Sequence, residues 1–256
     1  MLLAVDVGNS QTVVGLYERE RLVETSRLST RLGDTADDLK LRFQGIFSSG
    51  NYQELIRGVV ISSVVPPLES AYKIMSSSLL GLEPCWVEAE MDLGMPLKID
   101  QPGELGADRL ANAIAAYEKY GGPAIIVDLG TAITFCLVSR KGEYLGGSIS
   151  PGVRIAIDAL HRHTSKLPSL EFHKPSRLLG TNTRDGILSG VYYGTLSLVE
   201  GMINRFKQEK GFEQARVIAT GGLAGKIAAD SPLIDQVDEN LILEGLRLIY
   251  QRAGTV

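Results

Sequence analysis

The chain has 256 residues, 44% of them hydrophobic, enough for one large core or two modest ones. A net charge of −4 offers no cationic footprint for nucleic acid or an anionic membrane, and the cysteines, Cys85 and Cys136, form neither a disulfide framework nor a metal-type spacing. The first residues lack a cationic leader, and no run approaches the roughly 18 apolar residues of a membrane span, so a soluble, cytoplasmic protein is expected.

Apolar and β-branched runs predict strands over 2–7, 12–17 and 22–28, followed by a helix over 35–48. A strand over 57–64 ends at Pro66-Pro67, which open a helix over 67–79, and a short strand follows over 84–88. The next helix, 107–120, stops at Gly121-Gly122-Pro123. Strands over 124–128, 133–139 and 143–147 come next, then a long helix over 183–210, a strand over 216–220, and helices over 222–229 and 239–252. No low-complexity tract or flexible linker interrupts the series. Three strands, then alternating helices and strands, then the same opening again fit α/β architecture with two related domains, 1–117 and 118–256, and a cleft between them.

That repeated opening is the most informative feature. Ala4-Val5-Asp6-Val7-Gly8-Asn9-Ser10-Gln11-Thr12 is matched by Ile126-Val127-Asp128-Leu129-Gly130-Thr131-Ala132-Ile133-Thr134, about one domain length later. Each copy reads as a buried strand that stops at an Asp, turns through Gly and small hydroxyl residues, and resumes as β-branched strand. Gly8 and Gly130 let backbone N–H groups approach an anion, the hydroxyls add donors, and each Asp can hold a hydrated cation against that anion. A single such turn would be ordinary, because Asp and Gly are common turn residues. Its duplication points to a phosphate clamp.

Asp108 and Arg109, in Pro102-Gly103-Glu104-Leu105-Gly106-Ala107-Asp108-Arg109, fall in the first turn of the third helix, ahead of the packed residues Leu110, Ala113, Ile114 and Tyr117. A capping carboxylate would account for Asp108. Arg109 opposes the helix dipole and so calls for an anionic or carbonyl partner. Later, Thr181-Asn182-Thr183-Arg184-Asp185 supplies caps for the long helix, in which Gly186, Gly190 and Gly194 recur every four residues. Such a stripe costs roughly 1 kcal/mol per Gly against Ala, which predicts close approach of another helix, within the chain or across a dimer. In Arg216-Val217-Ile218-Ala219-Thr220-Gly221-Gly222-Leu223 a buried strand enters a glycine turn whose backbone can lie against a planar ring or a phosphate.

The segments DVGNSQT, GELGADR, DLGTAIT, TNTRDG and ATGG, in this order over almost the whole chain, resemble the type III pantothenate kinase family, within the hexokinase, actin and acetate kinase superfamily. GADR ahead of the second hairpin narrows the superfamily to the family. The resemblance implies two actin-like, ribonuclease H-like domains and transfer of the ATP γ-phosphate to the primary hydroxyl of pantothenate, the first step of coenzyme A synthesis. It implies that Asp6, Val7, Gly8, Asn9, Ser10, Gln11, Thr12 and Val13 wrap the ATP phosphates, with Asp6 helping to hold Mg²⁺. Asp108 is implied as the base that accepts the pantothenate proton, while Gly106, Ala107 and Arg109 bind that substrate. Asp128 matches the ligand of an activating monovalent cation, potassium or ammonium, and Thr131 matches an ATP contact. Thr183 matches a pantothenate contact near a homodimer interface, and Gly221 and Gly222 match the adenosine-side turn.

Phosphoryl transfer needs mainly alignment and charge neutralisation, which turns, hydroxyls and carboxylate-held cations supply. A carboxylate at a helix N-terminus is expected to be a weak base, sufficient when the substrate proton leaves late. No G-x-x-x-x-G-K-[ST] occurs, which excludes a P-loop. The chain departs from the family pattern at Ile99, where an aromatic residue, often Tyr, is common, and at Ser10, which keeps the hydroxyl of the usual Thr. Another kinase or a phosphatase of the superfamily would lack GADR. A non-catalytic accessory protein on the same scaffold would have no need of all three of Asp6, Asp108 and Asp128. His161, His163 and His173 lie in a polar, proline-containing stretch that reads as a surface loop or lid rather than a metal cluster.

Overall fold

The computed structural model describes residues 1–254. Strands β1 (Leu2–Val7), β2 (Gln11–Glu18) and β3 (Arg21–Ser29) lead into α1 (Ala36–Ser48), β4 (Gly58–Ser63), α2 (Pro66–Leu80), the short β5 (Cys85–Trp86) and α3 (Ala107–Tyr120). The series then begins again with β6 (Ala124–Leu129), β7 (Ala132–Val138), β8 (Tyr144–Pro151), α4 (Val153–Arg162) and α5 (Thr183–Phe206). It closes with β9 (Arg216–Thr220), α6 (Ala224–Ala228), β10 (Gln236–Val237) and α7 (Leu241–Ala253).

Two five-stranded sheets result, in the orders β3-β2-β1-β4-β5 and β8-β7-β6-β9-β10. In the first, β1, β2 and β3 are antiparallel neighbours, while β4 and β5 add in parallel. The second sheet repeats this, with β6, β7 and β8 antiparallel and β9 and β10 parallel. The duplicated hairpin is therefore the visible part of a duplicated sheet, the two-domain, actin-like α/β arrangement the motifs imply.

The chain forms two compact units. One comprises Met1–Met95, Asp100–Ala115 and the chain from Asn240 onward; the other comprises Pro96–Ile99 and Ala116–Glu239. In the first, alternate residues of β1 and β2, such as Leu3, Val5, Val14 and Leu16, pack with Leu39 and Phe43 of α1 and Leu68, Tyr72 and Met75 of α2. In the second, Ile125, Val127, Phe135 and Val217 pack with Tyr192, Val199 and Ile203 of α5 and Ile227 of α6. α1 starts at a capping box, in which the Thr35 side chain accepts from Asp38 N–H and Asp38 accepts from Thr35 N–H.

The expected domain boundary and the observed units differ at the C-terminus. Helix α7, expected in the second domain, packs on the first sheet, with Leu243 against Gly15 of β2 and Tyr250 against Gly58 of β4. Glycines on those strands leave room for these two side chains. Arg247 adds a cation–π contact, 5.9 Å from the centroid of the Tyr17 ring.

Helix α4 replaces the loop expected after Pro151. Val153 and Ile157, one turn apart, are buried, while Arg154, Asp158 and His161 face outward. Nearby prolines and polar residues hide this single amphipathic turn-pair in the sequence, and β10 is too short for its alternation to register. Helix α5 ends at Phe206, short of the expected 210. Gly180 lies against the backbone of the glycine stripe at Gly186, but Gly186, Gly190 and Gly194 are exposed, and a Cβ at each would find open space among the described residues.

Gly245 of α7 lies against the backbone of Ala111 in α3, and a Cβ there would overlap it. Gly→Ala inside a helix ordinarily adds about 1 kcal/mol of stability. Gly245→Ala should instead lower it by about 1–2 kcal/mol through overpacking, measured as a fall in the urea midpoint. An unchanged or raised midpoint would show that the two helices can separate without cost.

Candidate active site

In the first hairpin the Gly8 N–H donates to Gln11 O at 3.1 Å. A Cβ on Gly8 would sit 2.9 Å from that oxygen, so the tight turn favours glycine. Asp6 stands level with Ser62 of the parallel neighbour β4, and the fully buried Ser62 Oγ donates to Asp6 Oδ1 at 3.0 Å. Nothing local in the sequence marks Ser62, since only strand register brings it to Asp6. Within Asp6 to Val13, strand alternation divides the duties. Asn9 and Gln11 are exposed, while Val7 and Thr12 point into the core. The Thr12 hydroxyl bonds Thr30 Oγ1 at 3.1 Å and the Tyr72 hydroxyl at 3.0 Å, so this side chain supports the loop from beneath.

Asp108 is reached through a 3-10 turn at Pro102–Glu104 and through Gly106, whose carbonyl accepts from Leu110 N–H at 3.1 Å and so starts α3. Gly106 lies against Val64, with 3.7 Å between a would-be Cβ and Val64 Cγ1, and Val64 N–H donates to Val7 O at 3.1 Å. The α3 N-terminus thus stands over the same ends of β1 and β4 as Asp6. Asp108 Oδ1 accepts the Arg109 N–H at 2.8 Å. Burial pushes the Asp108 carboxyl above the ordinary carboxylate range, and the Arg109 N–H and guanidinium only partly offset this. The expectation of a weak base is thereby corrected: desolvation outweighs the helix terminus, and the carboxylate is a stronger base than an exposed Asp.

The second hairpin carries the same Asp and Gly on a turn one residue shorter. Gly130 N–H donates to Ala132 O at 3.1 Å, and Asp128 is level with Thr220 of β9. Gly221 has φ +91°, and a Cβ there would collide with Asp128 Oδ1 and the Leu129 backbone. The glycine turn after β9 therefore lies directly against Asp128, with the exposed Gly222 next in the chain. Thr131 O accepts the N–H of Gly152, the N-cap of α4, at 3.1 Å. Asp128, Thr131 and Gly221 are thus gathered at one end of the second sheet, as Asp6, Gly8 and Asp108 are at one end of the first.

Thr183 is the first residue of α5, exposed, after Asn182, whose side chain accepts Asp185 N–H at 2.9 Å. A polar cavity of about 400 Å³ beside it is lined by His173, Arg184 and Asp185 among others. Ile99 packs toward Gly146 of β8, where a would-be Cβ lies 3.6 Å from Ile99 Cγ2. His161 and His163 end α4 instead of lying in a loop, and His161 Nδ1 is 2.8 Å from Leu167 O. No helix among the described residues is long and apolar enough to cross a membrane.

A family model for type III pantothenate kinase matches residues 2–205. A type III pantothenate kinase of Koribacter versatilis is 43% identical over 98% of this chain and 96% of its own length. One of Geotalea uraniireducens is 46% identical over 98% of each chain. Among solved structures, a Baf family protein from Campylobacter jejuni, described as a transcriptional activator, superposes with a TM-score of 0.63 at 20% identity, covering 99% of this chain and 100% of that one, a likeness of fold alone.

The raised Asp108 pKa carries a stability consequence. Between the ordinary value of 3.8 and the higher folded-state value, the folded chain binds more protons than the unfolded one, so ionised Asp108 lowers stability as pH rises through that window. Asp108→Asn should therefore be more stable than wild type at neutral pH, with the advantage shrinking as pH approaches about 4. Urea unfolding at both pH values checks this, and a variant less stable at neutral pH would mean that the carboxylate is net-stabilised by the helix terminus.

Proposed function

The chain belongs to the type III pantothenate kinase family, and its activity is the ATP-dependent phosphorylation of pantothenate in coenzyme A synthesis; we propose that Asp108 is the base of that transfer. The observation that carries this assignment is the desolvated carboxylate at the start of α3, above the strand ends that bear Asp6 and the glycine turn. Desolvation lifts the Asp108 pKa toward the working pH, which improves proton acceptance as charge builds on the attacking oxygen.

The other roles follow from donor chemistry. The arc Gly8–Gln11, with Asn9 and Gln11 exposed and Gly8 and Ser10 half-buried, presents backbone and small polar groups suited to the ATP phosphates. Asp6, its Oδ1 oriented by Ser62, is the residue assigned to Mg²⁺ that arrives with ATP; one carboxylate with phosphate and water oxygens suits an ion that keeps most of its water. Bound there, the ion would neutralise phosphate charge during transfer. Gly106 and Ala107 leave the approach to Asp108 uncrowded by large side chains, and Arg109 brings a permanent positive charge suited to the carboxylate of pantothenate. Thr131, Gly221 and Gly222 are assigned to ATP, the glycines on the adenosine side, and Thr183 to pantothenate.

Asp128, packed against the backbone of the Gly221 turn, is assigned to a monovalent cation, potassium or ammonium. Carboxylate and carbonyl oxygens at this end of the sheet suit an ion that sheds water easily. The exposed glycines of α5, with open space over a Cβ at Gly190 and Gly194 among the described residues, support a homodimer in which a partner helix approaches closely, with Thr183 at the rim of that contact.

ADP release with and without pantothenate tests the activity. Release that depends on pantothenate is expected, and Asp108→Asn should reduce it by about 10²–10⁴-fold while Mg·ATP still binds. Turnover near wild type in that variant would return Asp108 to the role of a helix cap. Potassium or ammonium should raise the wild-type rate above that in sodium alone, and Asp128→Ala should abolish the difference; equal rates in all three salts would remove the cation from Asp128.

Gly190→Leu should yield a monomer in sedimentation without loss of secondary structure, since a Cβ there meets open space among the described residues. A dimer unaffected by that change, or a wild-type monomer, would exclude the stripe as the contact.

A further inference from the structure

Beneath the first hairpin a hydroxyl chain runs from α2 to the phosphate loop. The Thr30 Oγ1 donates to Gly8 O at 2.7 Å. A carbonyl oxygen can only accept, so the one hydroxyl proton of Thr30 is committed to Gly8. At the 3.1 Å contact between Thr12 Oγ1 and Thr30 Oγ1, Thr12 must then donate. At the 3.0 Å contact between Thr12 Oγ1 and the Tyr72 hydroxyl, Tyr72 must donate in turn. Tyr72 and Thr12 are buried, and burial raises the Tyr72 pKa, so its proton stays in place. The direction is fixed throughout: Tyr72 to Thr12 to Thr30 to the Gly8 carbonyl. Aligned donors in a desolvated chain polarise one another and strengthen the final bond.

The Gly8–Asn9 peptide is planar and trans, so its carbonyl and the Asn9 N–H point in opposite directions. With the carbonyl held toward Thr30, the Asn9 N–H is aimed away from it, on the exposed side of the turn. Thr30 N–H also donates to Ser10 O at 3.1 Å, so one residue of β3's end grips the turn at two carbonyls. We propose that Thr30, backed by Thr12 and Tyr72, is a positioning residue for phosphoryl transfer, which presets the Asn9 N–H as a donor to an ATP phosphate. The inference rests on the assignment of Gly8–Gln11 to ATP.

The test compares Thr30→Val, which keeps the shape and removes the hydroxyl, with Thr30→Ser, which keeps the donor, and with Tyr72→Phe, which removes only the first donor of the chain. Thr30→Val should raise the KM for ATP and weaken Mg·ADP binding in calorimetry by about tenfold, with the KM for pantothenate unchanged. Thr30→Ser should restore most of the nucleotide affinity, and Tyr72→Phe should show a smaller loss of the same kind. Wild-type nucleotide affinity in both Thr30→Val and Tyr72→Phe overturns the proposal, as does a loss shared equally by both substrates. If Thr30→Val does not fold, Tyr72→Phe decides by the same criterion. Failure of the functional reading is separable: Mg·ADP binding that depends on Thr30, without ADP release on adding pantothenate, would sink the acceptor and support the brace. A wild type that binds no Mg·ADP would overturn both.

Discussion

The in-register pairing of β1 with β4 is the constraint on which the first unit's chemistry depends. It sets Asp6 beside Ser62 and Val7 beside Ser63, and it hands the Val64 N–H to the Val7 carbonyl. A slip of one residue would turn Asp6 to the opposite face and leave Ser62 without its carboxylate. The same pairing carries Val64, and through it Gly106 and the start of α3, to the strand end from which the glycine turn projects. In the second sheet β6 and β9 repeat the device, with Asp128 beside Thr220 and the Gly221 turn folded back against Asp128. Parallel neighbours end together, so both sheets deliver a carboxylate and a glycine turn to their carboxyl ends, the usual location of ligand sites in open α/β sheets.

The motifs made this much legible because each is continuous in the chain. Asp6 to Thr12 and Asp128 to Thr134 announce strand, turn and strand within nine residues apiece, and the repetition announces the second sheet. What was not legible depends on partners far away in sequence. Thr12 reads as a loop hydroxyl like Ser10, and only the packing of Tyr72 and Thr30 shows that it faces inward. Ser62 belongs to a strand with no motif of its own. Helix α7 reads as the last element of the second half, and its true neighbour is decided by Gly15 and Gly58, glycines whose purpose emerges only when Leu243 and Tyr250 occupy the space above them. The glycine stripe of α5 predicts a neighbouring helix, yet a Cβ at Gly190 or Gly194 would face open space among the described residues.

Asp108 sits under two opposed influences. Backbone donation from Arg109 and the positive charge nearby favour the carboxylate, whereas burial favours the acid, and burial is the larger. A carboxylate of this kind is ionised at neutral pH at the expense of stability. Gly106, two residues before it, lets α3 begin close to Val64, so the carboxylate stays at the helix terminus.

Helix α7 has a consequence for the order in which the molecule can be built. Its buried face, with Leu243 and Tyr250 over β2 and β4, covers strands synthesised roughly two hundred residues earlier. While the chain is still emerging from the ribosome, the second half can collect all its own strands and helices, but the first half cannot close that face. That face of the N-terminal sheet is thus covered only once α7 has been made, so the first unit cannot be finished before the second has been synthesised. A chain cut short by a premature stop would carry its injury at the opposite end of the sequence from the cut.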